Sequence, residues 1–294
     1  MSSRFVVLLV LLAAAATAGL PAGANAAPAS RFSVRLDLEG TPVARFAEIS
    51  GGGAAVEIVE YRDGDDPVVR KRPGKVKYGD ITLKRGVVSD PSLLDWYGKV
   101  LNGATERKSG SIIYLDREGN EVLRLNFFEA WPAGFEAGPF ADGTPVIESF
   151  ELGMEKLERV TPAAPRGRLA AARGFSVQID AVPVDGVVSA STIGITHAPS
   201  ADGGPATINA SNFSLACGTG LDEGLHAWFA DLAAGKDIRK SITVNLRAAK
   251  DGPGRSYVLH DCWPCRWKAP ELNSNSDTFI VEELEFAVER VERG

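Results

Sequence analysis

Apolar and polar positions alternate with a period of two along much of the chain, the pattern of a β-strand with one buried face. Phe32-Ser33-Val34-Arg35-Leu36-Asp37 alternates in this way, and Phe175-Ser176-Val177-Gln178-Ile179-Asp180 repeats it. Lys75-Val76-Lys77-Tyr78 and Asp80-Ile81-Thr82-Leu83-Lys84 predict two more strands. Ile147–Leu152 and Ile280–Phe286 predict a closing strand in each half. Helical spacing occurs twice. Ser89-Asp90-Pro91 supplies a cap and a first-turn proline, Leu94, Tyr97 and Leu101 follow, and Gly103 ends the run. Leu221, Leu225, Phe229 and Leu232 do the same before Gly235.

These elements belong to an internal repeat. Leu93-Leu94-Asp95-Trp96-Tyr97 returns as Leu225-His226-Ala227-Trp228-Phe229, and Trp131-Pro132 as Trp263-Pro264, both at an offset of 132 residues. Glu155-Lys156-Leu157-Glu158-Arg159 returns as Glu289-Arg290-Val291-Glu292-Arg293. The chain therefore divides into a first domain over 27–160, a Pro- and Ala-rich linker over 161–173, and a second domain over 174–294. Many antiparallel strands with one helix per copy predict a mainly β fold, a sandwich or barrel carrying a helix.

The first 26 residues read as a secretory signal. Arg4 precedes an apolar run from Phe5 to Ala16, and Ala24-Asn25-Ala26 offers a small-residue cleavage site before Ala27. The run is short of the ~20 residues that a spanning helix needs, so no membrane span is expected once it is removed. An exported product, periplasmic or extracellular, follows. With 45% hydrophobic and 24% charged residues, what remains can bury two ordinary cores. The formal net charge of −6 gives no general attraction to nucleic acid or anionic lipid.

Against that acidic background one stretch is basic. Arg70, Lys71 and Arg72 precede Pro73-Gly74, and Lys75, Lys77 and Tyr78 follow. Pro-Gly is a turn dipeptide, so these cations are expected to ring a solvent-facing loop. The second copy is 11 residues shorter between its first strand and its helix, and the loss falls here. Its counterpart, Thr196 to Asn212, carries no Lys or Arg.

The basic stretch closely resembles the tail tube proteins of contractile bacteriophages and of related contractile injection systems. The resemblance continues upstream in Val56–Gly64 and downstream in Leu94-Asp95-Trp96-Tyr97, Gly110-Ser111-Ile112-Ile113, Asn126-Phe127 and Ala130-Trp131-Pro132. It covers about Phe32 to Val160 and implies a non-enzymatic protein whose domains close into hexameric rings that stack into a hollow tube. Arg70–Tyr78 would then be an assembly loop, and the partners would be further copies of the chain and other injection-system components. Three two-domain chains could close a ring of pseudo-sixfold symmetry. A monomeric exported binding module on the same fold is the alternative reading.

The remaining chemistry is sparse. Cys262-Trp263-Pro264-Cys265 has the spacing of a thiol-disulfide couple, which would make the protein a thiol enzyme. Trp-Pro also occurs in the first copy, so the dipeptide belongs to the scaffold. His260, Cys262, Cys265 and Cys217 include ligands of zinc type, but only one knuckle is present, so no metal or other cofactor is expected. A structural disulfide among Cys217, Cys262 and Cys265 is the plainer expectation in an oxidising compartment. Trp96, Trp131, Trp228 and Trp263 recur at matching positions and are expected in core or subunit-contact packing. No nucleophile, acid–base or phosphate-binding motif is present.

Overall fold

The computed structural model describes residues 32–138, 146–160, 174–198, 206–218, 223–247, 254–273 and 281–294. The signal segment, the linker over 161–173 and Leu221 lie outside the described residues. The first half contains β1 (Phe32–Leu38), β2 (Thr41–Gly51), β3 (Gly53–Tyr61), β4 (Arg70–Tyr78), β5 (Ile81–Val88), α1 (Ser92–Leu101), β6 (Lys108–Asp116), β7 (Glu121–Ala137), β8 (Val146–Gly153) and β9 (Lys156–Val160). The second contains β10 (Phe175–Ile179), β11 (Val182–Pro183), β12 (Val187–Ala190), β13 (Ile195–Ala198), β14 (Thr207–Ala210) and β15 (Phe213–Gly218). It continues with α2 (Glu223–Ala233), β16 (Lys240–Leu246), β17 (Arg255–Lys268), β18 (Leu272–Asn273), β19 (Val281–Ala287) and β20 (Arg290–Arg293).

The expected choice between sandwich and barrel resolves to a barrel. Strands pair in the order β1-β6-β7-β8-β5-β2, all antiparallel, and β2 pairs back to β1, so the first sheet closes on itself. Closure removes the edges of the six strands and gives each an inside and an outside, which is why the sequence alternates. Val34, Leu36, Phe46, Leu83, Tyr114, Leu125, Phe127 and Phe150 are buried within it. Each such side chain contributes about 1.5–3 kcal/mol by leaving water. The second half repeats the order as β10-β16-β17-β19-β15-β12. Its counterpart of β2 is broken into β11 and β12, and β11 pairs with β10 to complete the circuit. In both halves the long strand changes partners midway. β7 pairs with β6 and β9 and then with β8; β17 pairs with β16 and β20 and then with β19.

The helices sit where the spacing predicts, with one difference of face. The Asp90 carboxylate accepts the Ser92 backbone N–H at 2.9 Å where α1 begins. Its buried residues are Leu93 and Trp96, whereas Leu101 is 68% exposed. The Leu94, Tyr97 and Leu101 stripe is thus rotated off the core, because Trp96 takes the inner position against Phe150. Leu225, Trp228, Phe229 and Leu232 are the buried face of α2. Gly103 and Gly235 follow the helices with φ of 88° and 90°, a left-handed conformation that glycine adopts without strain. The two helix tryptophans are held alike: Trp96 Nε1 donates to the Glu106 carbonyl at 2.9 Å and Trp228 Nε1 to the Ile238 carbonyl at 2.8 Å.

Candidate assembly surface

Among the described strands of the first domain, β3 and β4 stand clear of its barrel, and they lie on the second domain. β3 adds to the end of β17 as an antiparallel neighbour, pairing Gly53 with Lys268, Ala54 with Trp267 and Ala55 with Arg266. Gly53 has φ 109°, and a Cβ there would stand 2.2 Å from the Trp267 carbonyl oxygen, so the approach of the two backbones requires glycine. The second domain answers in kind. Leu272 and Asn273 of β18 pair with Ile49 and Glu48 of β2, and the Tyr114 hydroxyl donates to the Pro270 carbonyl at 2.7 Å.

This geometry corrects the expectation of a basic turn. Pro73-Gly74 lies inside β4, where Val56 faces Val76 and Ile58 faces Pro73, so Glu57 stands opposite both Gly74 and Lys75. The dipeptide marks a β-bulge on an edge strand, a place where proline's missing N–H is tolerated. Its cations have separate fates. Arg72, Lys75 and Lys77 are exposed, Arg70 and Tyr78 half-buried, and Lys71 buried. Lys71 Nζ donates to the Ala210 carbonyl of the second domain at 2.5 Å, and burial lowers its pKa.

The hinge of this contact is Glu289. Its carboxylate accepts the Lys71 backbone N–H at 3.0 Å and the Arg70 guanidinium at 3.2 Å, and it is also paired with Arg239. Arg239 in turn donates to the Lys71 carbonyl at 2.7 Å. On the other flank Arg159 of β9 meets Glu282 of β19 through Nε and Nη2 at 2.7 to 3.0 Å, with both side chains only 3% exposed. Trp267 Nε1 donates to the same carboxylate at 3.0 Å. Two ions buried this deeply are tolerated because their hydrogen bonds are shared out between them and the indole.

The thiols show no catalytic geometry. Cys217, Cys262 and Cys265 are all buried as thiols, and the expected disulfide among them is not formed. Residues three apart on one strand are ~10 Å apart, and Cys217 lies two strands from β17, whereas a disulfide needs Cα atoms within about 7 Å. Burial pushes the Cys265 thiol up to about 12 and Cys262 higher still, the opposite of what a nucleophilic thiol requires. No group of metal-ligating side chains forms among the described residues. Trp263 is buried in the core and Trp131 half-buried beneath the Arg107 guanidinium, 4.9 Å from the ring centre.

The family described as T4-like virus tail tube protein gp19 matches residues 28–158 and again 174–292. The chain belongs to this family. Solved structures similar to it each cover a little under half of its length. A chain of the anti-feeding prophage baseplate is 22% identical, with 45% of this chain and 93% of that chain covered and a TM-score of 0.36. A chain of the sheath-tube complex of PVC, an extracellular contractile injection system, is 22% identical, with 46% and 91% covered and a TM-score of 0.37. Hcp1 from Flavobacterium johnsoniae is 18% identical, with 45% and 95% covered and a TM-score of 0.26. No curated protein matches the chain.

In this tandem member of the family, the sequence marks out the basic stretch but predicts a loop where β4 stands, and it leaves Gly53, Arg159, Glu282 and Glu289 unidentified as contact residues. The run Gly51-Gly52-Gly53 between strand patterns was the available signal for the first. The carboxylates carried none, because an alternating strand places polar residues outward whether or not a second domain covers them.

Removing one member of the buried pair should leave the other unpaired, so Arg159→Met is expected to destabilise the protein by about 3–5 kcal/mol in urea unfolding. Glu282→Gln in the same chain should recover part of that loss. A second test concerns His226, whose ring lies edge-on to Trp267 at 5.6 Å. Burial first and the Arg159 charge second lower its pKa from 6.5 to about 4. Between those values the unfolded chain binds a proton that the folded chain refuses, so stability should fall as pH drops from 6.5 to 4. Urea midpoints of His226→Leu across this window should show a shallower decline than the parent.

Proposed function

We propose that this tandem tail tube protein is an exported, non-catalytic structural subunit whose domains join through sheet edges into a ring, with three chains supplying six domains. The observation that carries the reading is the junction between β3 and β17: two copies of a tail tube domain are already joined strand to strand. An edge with unmet backbone donors and acceptors is the physical means of continuing such a series, and a heterologous contact that repeats closes a ring or extends a tube. Other injection-system components are the further partners that family membership supports. Export rests on the pattern of residues 1–26, and no helix among the described residues is long and apolar enough to cross a membrane.

One feature favours a monomeric binding module instead. The hairpin of the second domain has four residues per strand against nine in the first, and so offers less backbone for pairing.

Native mass measurement of the mature chain should give a trimer, and electron microscopy should show rings or short tubes; monomers alone at high concentration would leave the binding-module reading in place. Lys75 and Lys77 are exposed on β4 and are assigned to stacking between rings. Replacing both with Glu should shorten or abolish tubes while leaving single rings and the melting temperature unchanged, and unaltered tube length would remove that role.

A further inference from the structure

The junction inside the chain specifies its own continuation. Strand register gives a residue-by-residue correspondence between the halves. Arg159 lies opposite Leu125 on β7, and Arg293 lies opposite Tyr257 on β17, the counterpart of Leu125 at the 132-residue offset. Arg293 is therefore the second domain's equivalent of Arg159. Likewise Cys217 faces Glu282 on β19, and the residue of β8 at the same place, two before Phe150, is Glu148. The buried pair of the junction thus has a second copy of identical chemistry. Glu148 and Arg293 are both exposed, and neither has an ion-pair partner among the described residues.

The backbone edges repeat as well. Gly53 and Ala54 correspond to Gly194 and Ile195, because the Gly53 carbonyl accepts the Gly79 N–H at 3.1 Å and the Gly194 carbonyl accepts the Ser211 N–H at 2.9 Å. Trp267, which receives Ala54, corresponds to Phe135 on β7. Ala54 is 4% exposed, whereas Ile195 is 54% exposed on a strand whose one neighbour among the described residues is β14. Phe135 pairs with β8 on one side only, since β6 and β9 end before reaching it. The polar flank is retained too. Arg239 and Glu289 correspond to Arg107 and Glu155, which form their own ion pair at 2.6 Å; Glu155 is 57% exposed, against 3% for Glu289 beneath the first domain's hairpin.

We propose that the free face of the first domain receives the second domain of another copy of this chain, with β13 adding antiparallel to β7 and Arg293 pairing with Glu148. In that register Ile195 lies opposite Phe135, Gly194 opposite Glu136 and Thr196 opposite Gly134. The interface deepens the ring-forming reading and rests on it. It also makes the two kinds of junction unequal: the one within a chain has a long hairpin and Lys71, and the one between chains has a four-residue strand and the exposed Arg107–Glu155 pair.

The test compares the full mature chain with Glu148→Arg, Arg293→Glu and the double exchange, by light scattering across a dilution series. Each single reversal should weaken association roughly 30-fold or more, and the double exchange should restore it, because each single change places like charges together in a desolvated site. A second readout does not depend on charge: Phe135→Cys with Ile195→Cys in one chain should oxidise to chain-to-chain disulfides, and to a closed covalent oligomer on a non-reducing gel. A parent that associates, with single reversals that associate equally well and no cross-linking, overturns this interface and leaves ring formation standing. Single reversals that weaken association without rescue by the double exchange overturn the Arg293–Glu148 pairing. A parent that stays monomeric throughout overturns both the interface and the ring.

Discussion

The architecture depends on one backbone ladder, the three-residue pairing of Gly53–Ala55 with Arg266–Lys268. A hairpin projecting from a closed barrel would otherwise carry unmet hydrogen-bonding groups on both sides, and docking β3 on β17 satisfies one side. Register at that ladder decides everything that flanks it. Shifted by one residue, every side chain of β3 would turn to the opposite face, and a shift that brings Ala54 to the place of Gly53 would set a Cβ against the Trp267 carbonyl. Arg159 and Glu282 guard the same register electrostatically. Their net contribution to stability is small beside the cost of leaving one of them buried alone, so the pair selects the correct docking more than it strengthens it.

Duplication with divergence explains the distribution of the remaining features. The first copy keeps a long hairpin, an unbroken β2 and the basic strand; the second has a short hairpin and a split counterpart of β2. What both retain is a set of charged residues at matching positions, Arg159 with Arg293, Glu148 with Glu282, Arg107 with Arg239 and Glu155 with Glu289. Fusing two domains makes the contact between them intramolecular, with an effective concentration set by the linker and independent of the amount of protein. The cysteines fit the same picture. They are buried as small apolar groups, and the raised pKa values of Cys262 and Cys265 follow from that burial.

The sequence alone determined the local and the repeated. Period-two alternation is imposed by the pleat of a strand, and Asp90-Pro91 and Gly103 act within one helical turn, so the strands and helix ends were readable without knowing what they touch. The repeat, the mainly β class, and the tail tube resemblance of its first copy were readable for the same reason. Tertiary structure decided what depends on distant partners. Pro73-Gly74 has the propensity of a turn, yet Glu57 on the neighbouring strand makes it a bulge. The inner face of α1 is set by Trp96 meeting Phe150, and a one-position rotation of a hydrophobic stripe is invisible in spacing alone. Lys71 reads as a solvated cation until Glu289, 218 residues away, receives its backbone N–H and the second domain excludes water around it. Desolvation and register are properties of two surfaces brought together, and a single chain of letters specifies each surface without stating which ones meet.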